Sequence, residues 1–286
     1  MLWAGLGAGA AITAAVAAER LLVRRARAKP DPERGEDLSE RPGIERRIRS
    51  FDGTELALNV VGPTEGPSDA PTIVFVHGFT LDMSAWHYQW KRFSRVYRCV
   101  LFDHRGHGRS GRAAEGDYSI QALGRDLKAV LDATAPGPPV VLVGHSMGGM
   151  AIVSLAEQFR EEFGSRVCAV VLTNTAAADV LKAIVGNLGA RAGQALLPLA
   201  RRLTADTRRG YGIRSSFFRG QADLAFLVAK LTNFGSSASP SMIDHVVRLS
   251  GQVPLDVWGD AITGMFEMDL GEALGNIEVP ALVLVG

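Results

Sequence analysis

A chain of 286 residues is long enough for one α/β domain carrying an insertion, or for two small domains. Its 31 basic and 30 acidic residues leave a formal charge of +1, which excludes the broad basic field of a nucleic-acid binder. The two cysteines, Cys99 and Cys168, each sit in an apolar run. They exclude a disulfide framework or a zinc-type spacing and read as buried, reduced thiols.

Residues 2–18 are almost wholly apolar and uncharged. Glu19-Arg20 follows, then Leu21-Leu22-Val23 and the basic run Arg24, Arg25, Arg27, Lys29. A cleaved signal peptide carries its positive charge before the apolar stretch, and here the charge comes after it. At 1.5 Å per residue the run reaches roughly 25 Å, slightly short of a bilayer core of about 30 Å. The basic flank favours a cytoplasmic side for the remainder of the chain. Residues 1–28 therefore read as an N-terminal hydrophobic helix that associates with a membrane through residues 2–23. Export and an ordinary soluble tail are the alternatives. Residues 29–43 have a linker's composition, charged and Pro-bearing.

Ile44 to Ser50 and Glu55 to Val61 form two expected strands around an Asp52-Gly53 turn. Thr72 to Val76 is a continuous apolar strand that runs into His77-Gly78-Phe79-Thr80. Trp86, Trp90 and Phe93 have the spacing of a helix packed on a sheet. Arg98 to Phe102 is a third strand, ending in the Gly-rich loop Asp103 to Ser110. His104 and His107 lie in that loop without the further ligands a metal site needs. Gln121 to Ala133 reads as an amphipathic helix started by Ser119 or Asp117.

The chemistry concentrates in Val140-Val-Leu-Val-Gly144-His145-Ser146-Met147-Gly148-Gly149-Met150. Four apolar residues read as a strand buried on both faces, and Met150, Val153, Ala156 and Phe159 continue at helical spacing. A G-x-S-x-G turn between strand and helix forces the serine backbone into strain and lifts its hydroxyl from the sheet, which makes Ser146 the candidate nucleophile. Gly144 and Gly148 answer to crowding by the neighbouring strand and helix. The backbone N–H groups of Phe79 and Met147 are the expected oxyanion donors. His77, Gly78 and His145 support them, His77 by holding its loop rather than by moving protons.

Beyond the helix, Val167 to Leu172 is another strand, ending at Thr173-Asn174-Thr175. From 178 to 260 helical runs replace strands, as expected of a cap that shapes substrate access. Its Arg201, Arg202, Arg208 and Arg209 read as solvated. Phe217, Phe218, Phe226, Phe234 and Met242 either line a pocket or form the cap's core. A helix and turn over Asp269 to Ile277 lead to a last apolar strand, Ala281 to Val285.

Strand–His77-Gly78-Phe79, Asp103-x-Arg105-Gly106-x-Gly108-x-Ser110 and Gly144-His145-Ser146-Met147-Gly148-Gly149, in that order, resemble the α/β-hydrolase superfamily. Within it the chain looks most like the bacterial lipase, esterase and cofactor-free haloperoxidase branch, and the resemblance covers residues 44–286. It implies an α/β-hydrolase fold: a mostly parallel sheet beginning with an antiparallel pair, helices on both faces, and a helical cap. The core then occupies 44–177 and 261–286, with the cap at 178–260. It also implies a serine hydrolase that forms an acyl-enzyme, with no cofactor and no metal. The cap and the nearness of a membrane suggest a small or medium, largely apolar ester. A serine in the elbow separates the chain from haloalkane dehalogenases and epoxide hydrolases, where the resemblance would require Asp.

The superfamily's acid usually follows the strand matching Ala281–Val285, and its His one strand later. Neither lies in this chain, and Asp179 and His245 are poor substitutes. The expectation is thus a C-terminally truncated hydrolase, lacking the final strand and helix and inactive as it stands. A non-catalytic binding module is the alternative from another class, and a haloperoxidase or C–C bond hydrolase the alternative among enzymes.

Overall fold

A computed structural model describes residues 17–63, 70–113, 115–137, 139–182 and 222–286. They separate into two compact units: one holds residues 17–38 and 222–251, the other 39–182 and 252–286.

The larger unit is built on seven strands: β1 (Ile44–Arg49), β2 (Glu55–Val61), β3 (Thr72–Val76), β4 (Cys99–Phe102), β5 (Val140–His145), β6 (Val167–Thr173) and β7 (Ala281–Leu284). Their order in the sheet is β1-β2-β4-β3-β5-β6-β7. The β1–β2 and β2–β4 pairings are antiparallel and all others parallel. Parallel strands need covered faces, and helices of the same unit supply the cover. Along the chain the helices are α1 (His87–Phe93), α2 (Ile120–Thr134), α3 (Met147–Gln158), α4 (Ala222–Asn233), α5 (Pro240–Ser250) and α6 (Leu255–Glu267). Of these, α4 and α5 belong to the smaller unit. Leu123, Leu127 and Leu131 of α2 and Ile152 and Leu155 of α3 pack on one face with Val74, Val100 and Leu142. Trp86 and Trp90 cover the other, against Phe75, Cys99 and Leu101. Ser119 starts α2 by accepting the Ala122 N–H.

Three sequence expectations change. β5 is not buried on both faces: Val140 and Leu142 are, whereas Val141 and Val143 are half-buried, because Val143 meets the smaller cluster beneath α1. Cys168 is exposed, since it occupies an outward position of β6, and its thiol donates to the Val140 carbonyl at 3.3 Å. Phe93 reaches Phe75, with ring centroids 6.4 Å apart, but stays 41% exposed. The edges differ in kind. β1 is charged, as solvent-facing edges commonly are. β7 is apolar and exposed, with Val283 at 63%.

In the smaller unit a helix over 17–27 packs Ala26 against Phe226, Ala229 and Ile243 of α4 and α5. Arg27 lies over the Phe226 ring and grips Asp244 through two hydrogen bonds of 2.6 and 2.9 Å. Lys29 donates to the Ser236 carbonyl, and Asp31 accepts from both the N–H and the hydroxyl of Ser241. The start of the stretch with linker composition is therefore fastened, because its charges found partners. Phe226 is core, Phe234 packs at its border, and Met242 is half-buried. Arg201, Arg202, Arg208, Arg209, Phe217 and Phe218 lie outside the described residues, as do residues 2–16 of the expected anchor. Among the described residues no helix is long and apolar enough to cross a membrane. α6 belongs to the larger unit, where Val257 and Ala261 pack with Tyr118 and Phe79.

Candidate active site

The strand order reverses at β3, which has β4 on one side and β5 on the other. Open α/β sheets bind ligands at such a reversal, beyond the carboxyl ends of the strands. Val76 of β3 pairs with Gly144 of β5, so His77-Gly78-Phe79 and His145-Ser146-Met147 emerge side by side.

Ser146 has φ 51° and ψ −119°, a left-handed conformation that costs a side-chain-bearing residue of order 1–3 kcal/mol. Backbone bonds hold it there. Its N–H donates to Thr173 O at 2.9 Å, and its carbonyl accepts from Gly149 N at 2.9 Å and Met150 N at 3.2 Å. The Thr175 hydroxyl adds a fourth bond, to that carbonyl, at 2.7 Å. Half-buried at the N-terminus of α3, Ser146 makes no side-chain capping bond, so its hydroxyl is not spent on the helix. The glycines are explained by crowding. A Cβ at 148 would lie 2.1 Å from the Val76 carbonyl oxygen, and one at 144 would lie 2.7 Å from Gly149 N. At 78 it would meet the His145 ring at 2.7 Å and Ser146 Cβ at 3.2 Å.

Among the described residues, neither the Phe79 nor the Met147 N–H donates a hydrogen bond. The loop carrying Phe79 is fixed by His77, which is fully buried. Nδ1 of His77 bonds the Gly78 carbonyl at 2.8 Å and Nε2 accepts the His104 N–H at 3.0 Å, leaving neither ring nitrogen for proton transfer. His104 Nε2 returns a bond to the His77 carbonyl. Burial drives the His77 and His107 pKa values down to about 4 and that of His104 well below its usual range. His145 is lowered too, again by burial. Among the described residues no three His, Cys, Asp or Glu side chains converge to hold a metal ion.

A second polar cluster braces the same edge. Asp103 accepts from Met83 N, Arg109 N and Arg41, all at 2.8 Å, and Arg41 also reaches Asp82 at 2.6 Å. Arg105, wholly buried, bonds Asp126 at 2.6 and 2.7 Å and Asp52 at 2.9 Å. Sequence reasoning placed Arg41 in a linker and gave Thr175 no role. Two signals were present: an arginine at the end of the linker segment, and a threonine just past β6.

No hydrogen bond joins Ser146 to a histidine or a carboxylate among the described residues. Asp179 is exposed and pairs with Lys182, and His245 lies in the smaller unit beside Arg248.

Comparison with known proteins agrees with this geometry. A family model described as alpha/beta hydrolase fold matches residues 71–217. The chain is 34% identical over 104 residues to epoxide hydrolase 1 of Caenorhabditis elegans, covering 36% of this chain and 26% of that protein, so it spans about a quarter of that relative. It is 29% identical over 227 residues to a non-heme chloroperoxidase of Burkholderia pyrrocinia, covering 77% of this chain and 75% of that one. Among solved structures, an esterase from Exiguobacterium antarcticum superposes with a TM-score of 0.63 at 20% identity, over 84% of this chain and 80% of its own. That breadth of coverage lends the expected truncation no support. From the strained serine between β5 and α3, the paired strand ends and the matching family model, the chain belongs to the α/β-hydrolase fold family.

Proposed function

We propose that this hydrolase cleaves small carboxylic esters, with Ser146 as nucleophile and the Phe79 and Met147 N–H groups holding the oxyanion. The observation that carries the reading is the strained Ser146 backbone beside unspent donors: strain and unpaired amides persist where a ligand uses them. In the reaction the hydroxyl oxygen bonds the ester carbonyl carbon, the carbonyl oxygen takes the negative charge, and the alcohol leaves with a proton. Water then releases the acid.

Among the described residues no base contacts Ser146, and a serine hydroxyl is a good nucleophile only when a base takes its proton. The likeness to a chloroperoxidase over most of both chains favours a second reading, in which the same serine serves cofactor-free haloperoxidation. The likeness to an epoxide hydrolase does not transfer, because the elbow holds a serine where that chemistry would require an aspartate. Residues 2–23 are read as a membrane-associated segment.

A fluorophosphonate probe followed by peptide mass mapping tests the nucleophile. The expected result is slow modification at Ser146 in preference to the other serines, abolished by Ser146→Ala. No adduct at position 146, or labelling that survives the substitution, overturns the proposal. Binding of an ester analogue without an adduct would instead select a non-catalytic module.

A further inference from the structure

We propose that Thr175 is a positioning residue of the oxyanion hole, acting on the Met147 N–H through the carbonyl of Ser146. The inference rests on the proposed nucleophile and oxyanion donors. A peptide unit is planar, and its C=O and N–H point in opposite directions. The Ser146 carbonyl and the Met147 N–H belong to one such unit. Whatever grips that oxygen from behind therefore also sets where the N–H points in front. Three donors reach the oxygen: Gly149 N at 2.9 Å, Met150 N at 3.2 Å and the Thr175 hydroxyl at 2.7 Å. The first two are ordinary bonds of a helix start, whereas the hydroxyl comes from the end of another strand.

The segment after β6 is shaped to deliver that hydroxyl. Asn174 sits at φ 44°, in the left-handed region, and its N–H donates to the Leu284 carbonyl of β7 at 2.8 Å. One residue earlier, the Thr173 carbonyl accepts the Ser146 N–H at 2.9 Å. With the turn at Asn174 between them, residues 173 and 175 hold Ser146 by its N–H and by its carbonyl. The Thr175 side chain also lies against the first turn of α3, where a Cβ at Gly149 would meet its Oγ1 at 2.6 Å.

The second proposed donor is built in the same way from other residues. The Phe79 N–H shares its peptide unit with the Gly78 carbonyl, which accepts from Nδ1 of the buried His77 at 2.8 Å. Nε2 of that ring accepts the His104 N–H, so Nδ1 carries the proton. A hydrogen bond to a carbonyl polarises its peptide unit and strengthens the N–H of that unit as a donor. Each of two amides on two separate loops thus has a side chain behind it. Negative charge developing in front of both calls for that arrangement.

Thr175→Val keeps the shape of the side chain and removes the hydroxyl, whereas Thr175→Ser keeps the hydroxyl. Fluorophosphonate modification of Ser146 is followed against probe concentration in the full chain. Charge builds up on the probe's oxygen only on the way to the adduct. Thr175→Val is therefore expected to lower the limiting rate about fivefold, the equivalent of one neutral hydrogen bond. The half-saturating concentration stays unchanged, and Thr175→Ser restores the rate. In a chain isotopically labelled at methionine, the Met147 amide proton shifts upfield in Thr175→Val and returns in Thr175→Ser. Equal rates in wild type and Thr175→Val, or a change confined to half-saturation, overturn the role. So does equal slowing in both variants, which would assign the effect to packing, or an unmoved Met147 resonance. In each of these cases the labelled wild type leaves the nucleophile standing. A wild type that takes no adduct at position 146 removes the nucleophile, and the role of Thr175 with it.

Discussion

Two loops leave the same edge of the sheet and treat their polar groups in opposite ways. After β4, the carboxylate of Asp103 and the guanidinium of Arg105 take part in hydrogen bonds on every side, to Met83, Arg109 and Arg41 in one case and to Asp126 and Asp52 in the other. After β5, Ser146 caps nothing, and two neighbouring amides donate to none of the described residues. A buried polar group left unpaired costs free energy. The pairing of Asp103 and Arg105 in the first loop therefore marks a brace, although His104 Nδ1 and His107 Nε2 there are buried without a partner among the described residues. Strain beside unused donors in the second is what the proposed ligand site rests on. The two are joined through His77, whose ring binds the carbonyl of Gly78 on one side and the His104 N–H on the other.

The sharpest way to break this contrast is to fill the space that brings the two strand ends together. Gly148→Ala drives a Cβ to 2.1 Å from the Val76 oxygen, backbone against backbone, so α3 must leave β3. The expected loss is about 5 kcal/mol or more, read as failure to accumulate soluble protein or a collapsed melting temperature. Gly137, where an added Cβ would meet nothing within 4 Å, is the control, and alanine there changes stability by less than about 0.5 kcal/mol.

Cutting the brace comes next. Asp126→Ala leaves Arg105, fully buried, with Asp52 as its remaining carboxylate. Breaking a buried pair on one side costs about 3–5 kcal/mol in denaturant titration. Arg105→Met/Asp126→Leu removes both charges, and is expected to recover most of that loss. If the double variant is as unstable as the single one, the pair does more than brace.

How much of this was legible in the sequence depends on how far each feature reaches along the chain. Strand bounds agreed within about two residues, because apolar runs such as Thr72–Val76 and the Asp52-Gly53 turn are local signals. The crowding at Gly144 and Gly148 was legible for the same reason, since the motif sits in its strand–turn–helix setting. The features that stayed hidden rest on pairing between distant segments. Arg41 finds Asp103 sixty-two residues away, and Thr175 reaches the Ser146 carbonyl across twenty-nine. Composition alone made residues 29–43 a linker, although Lys29 and Asp31 are tied to 236 and 241. Cys168 was misjudged because apolar neighbours in sequence do not say which face of a strand a residue takes.

The buried histidines sharpen the contrast through pH. An unfolded histidine takes its proton near pH 6.5, whereas burial holds His107 to about 4. Its contribution is therefore complete above pH 6.5 and is lost progressively as pH falls toward 4, because the unfolded chain binds the extra proton. His107→Phe keeps a ring in place and removes this term. Measured against wild type, its stability should fall roughly 3 kcal/mol less between pH 7.5 and 4. Taking the difference cancels the carboxylates, since Asp103 and Asp126, both raised by burial, titrate in the two proteins. Equal slopes would show that His107 is protonated inside the fold, and that the brace carries charge.

The smallest effect bears most directly on the loop of the proposed site. At φ 51° and ψ −119° a residue with a Cβ is strained, and glycine is not. Ser146→Ala keeps the strain and removes only a hydroxyl that caps nothing, so it should change stability by less than about 0.5 kcal/mol. Ser146→Gly releases the strain, although glycine also loses more entropy on folding, by about 0.5–1 kcal/mol. The balance is a gain of about 1 kcal/mol, visible as a rise in denaturant midpoint with no change in slope. Both variants lose the adduct at position 146, so only the difference in stability separates them. A glycine variant no more stable than the alanine one would mean that the backbone at 146 stores nothing, and the serine there would lose its claim to have been placed at a cost.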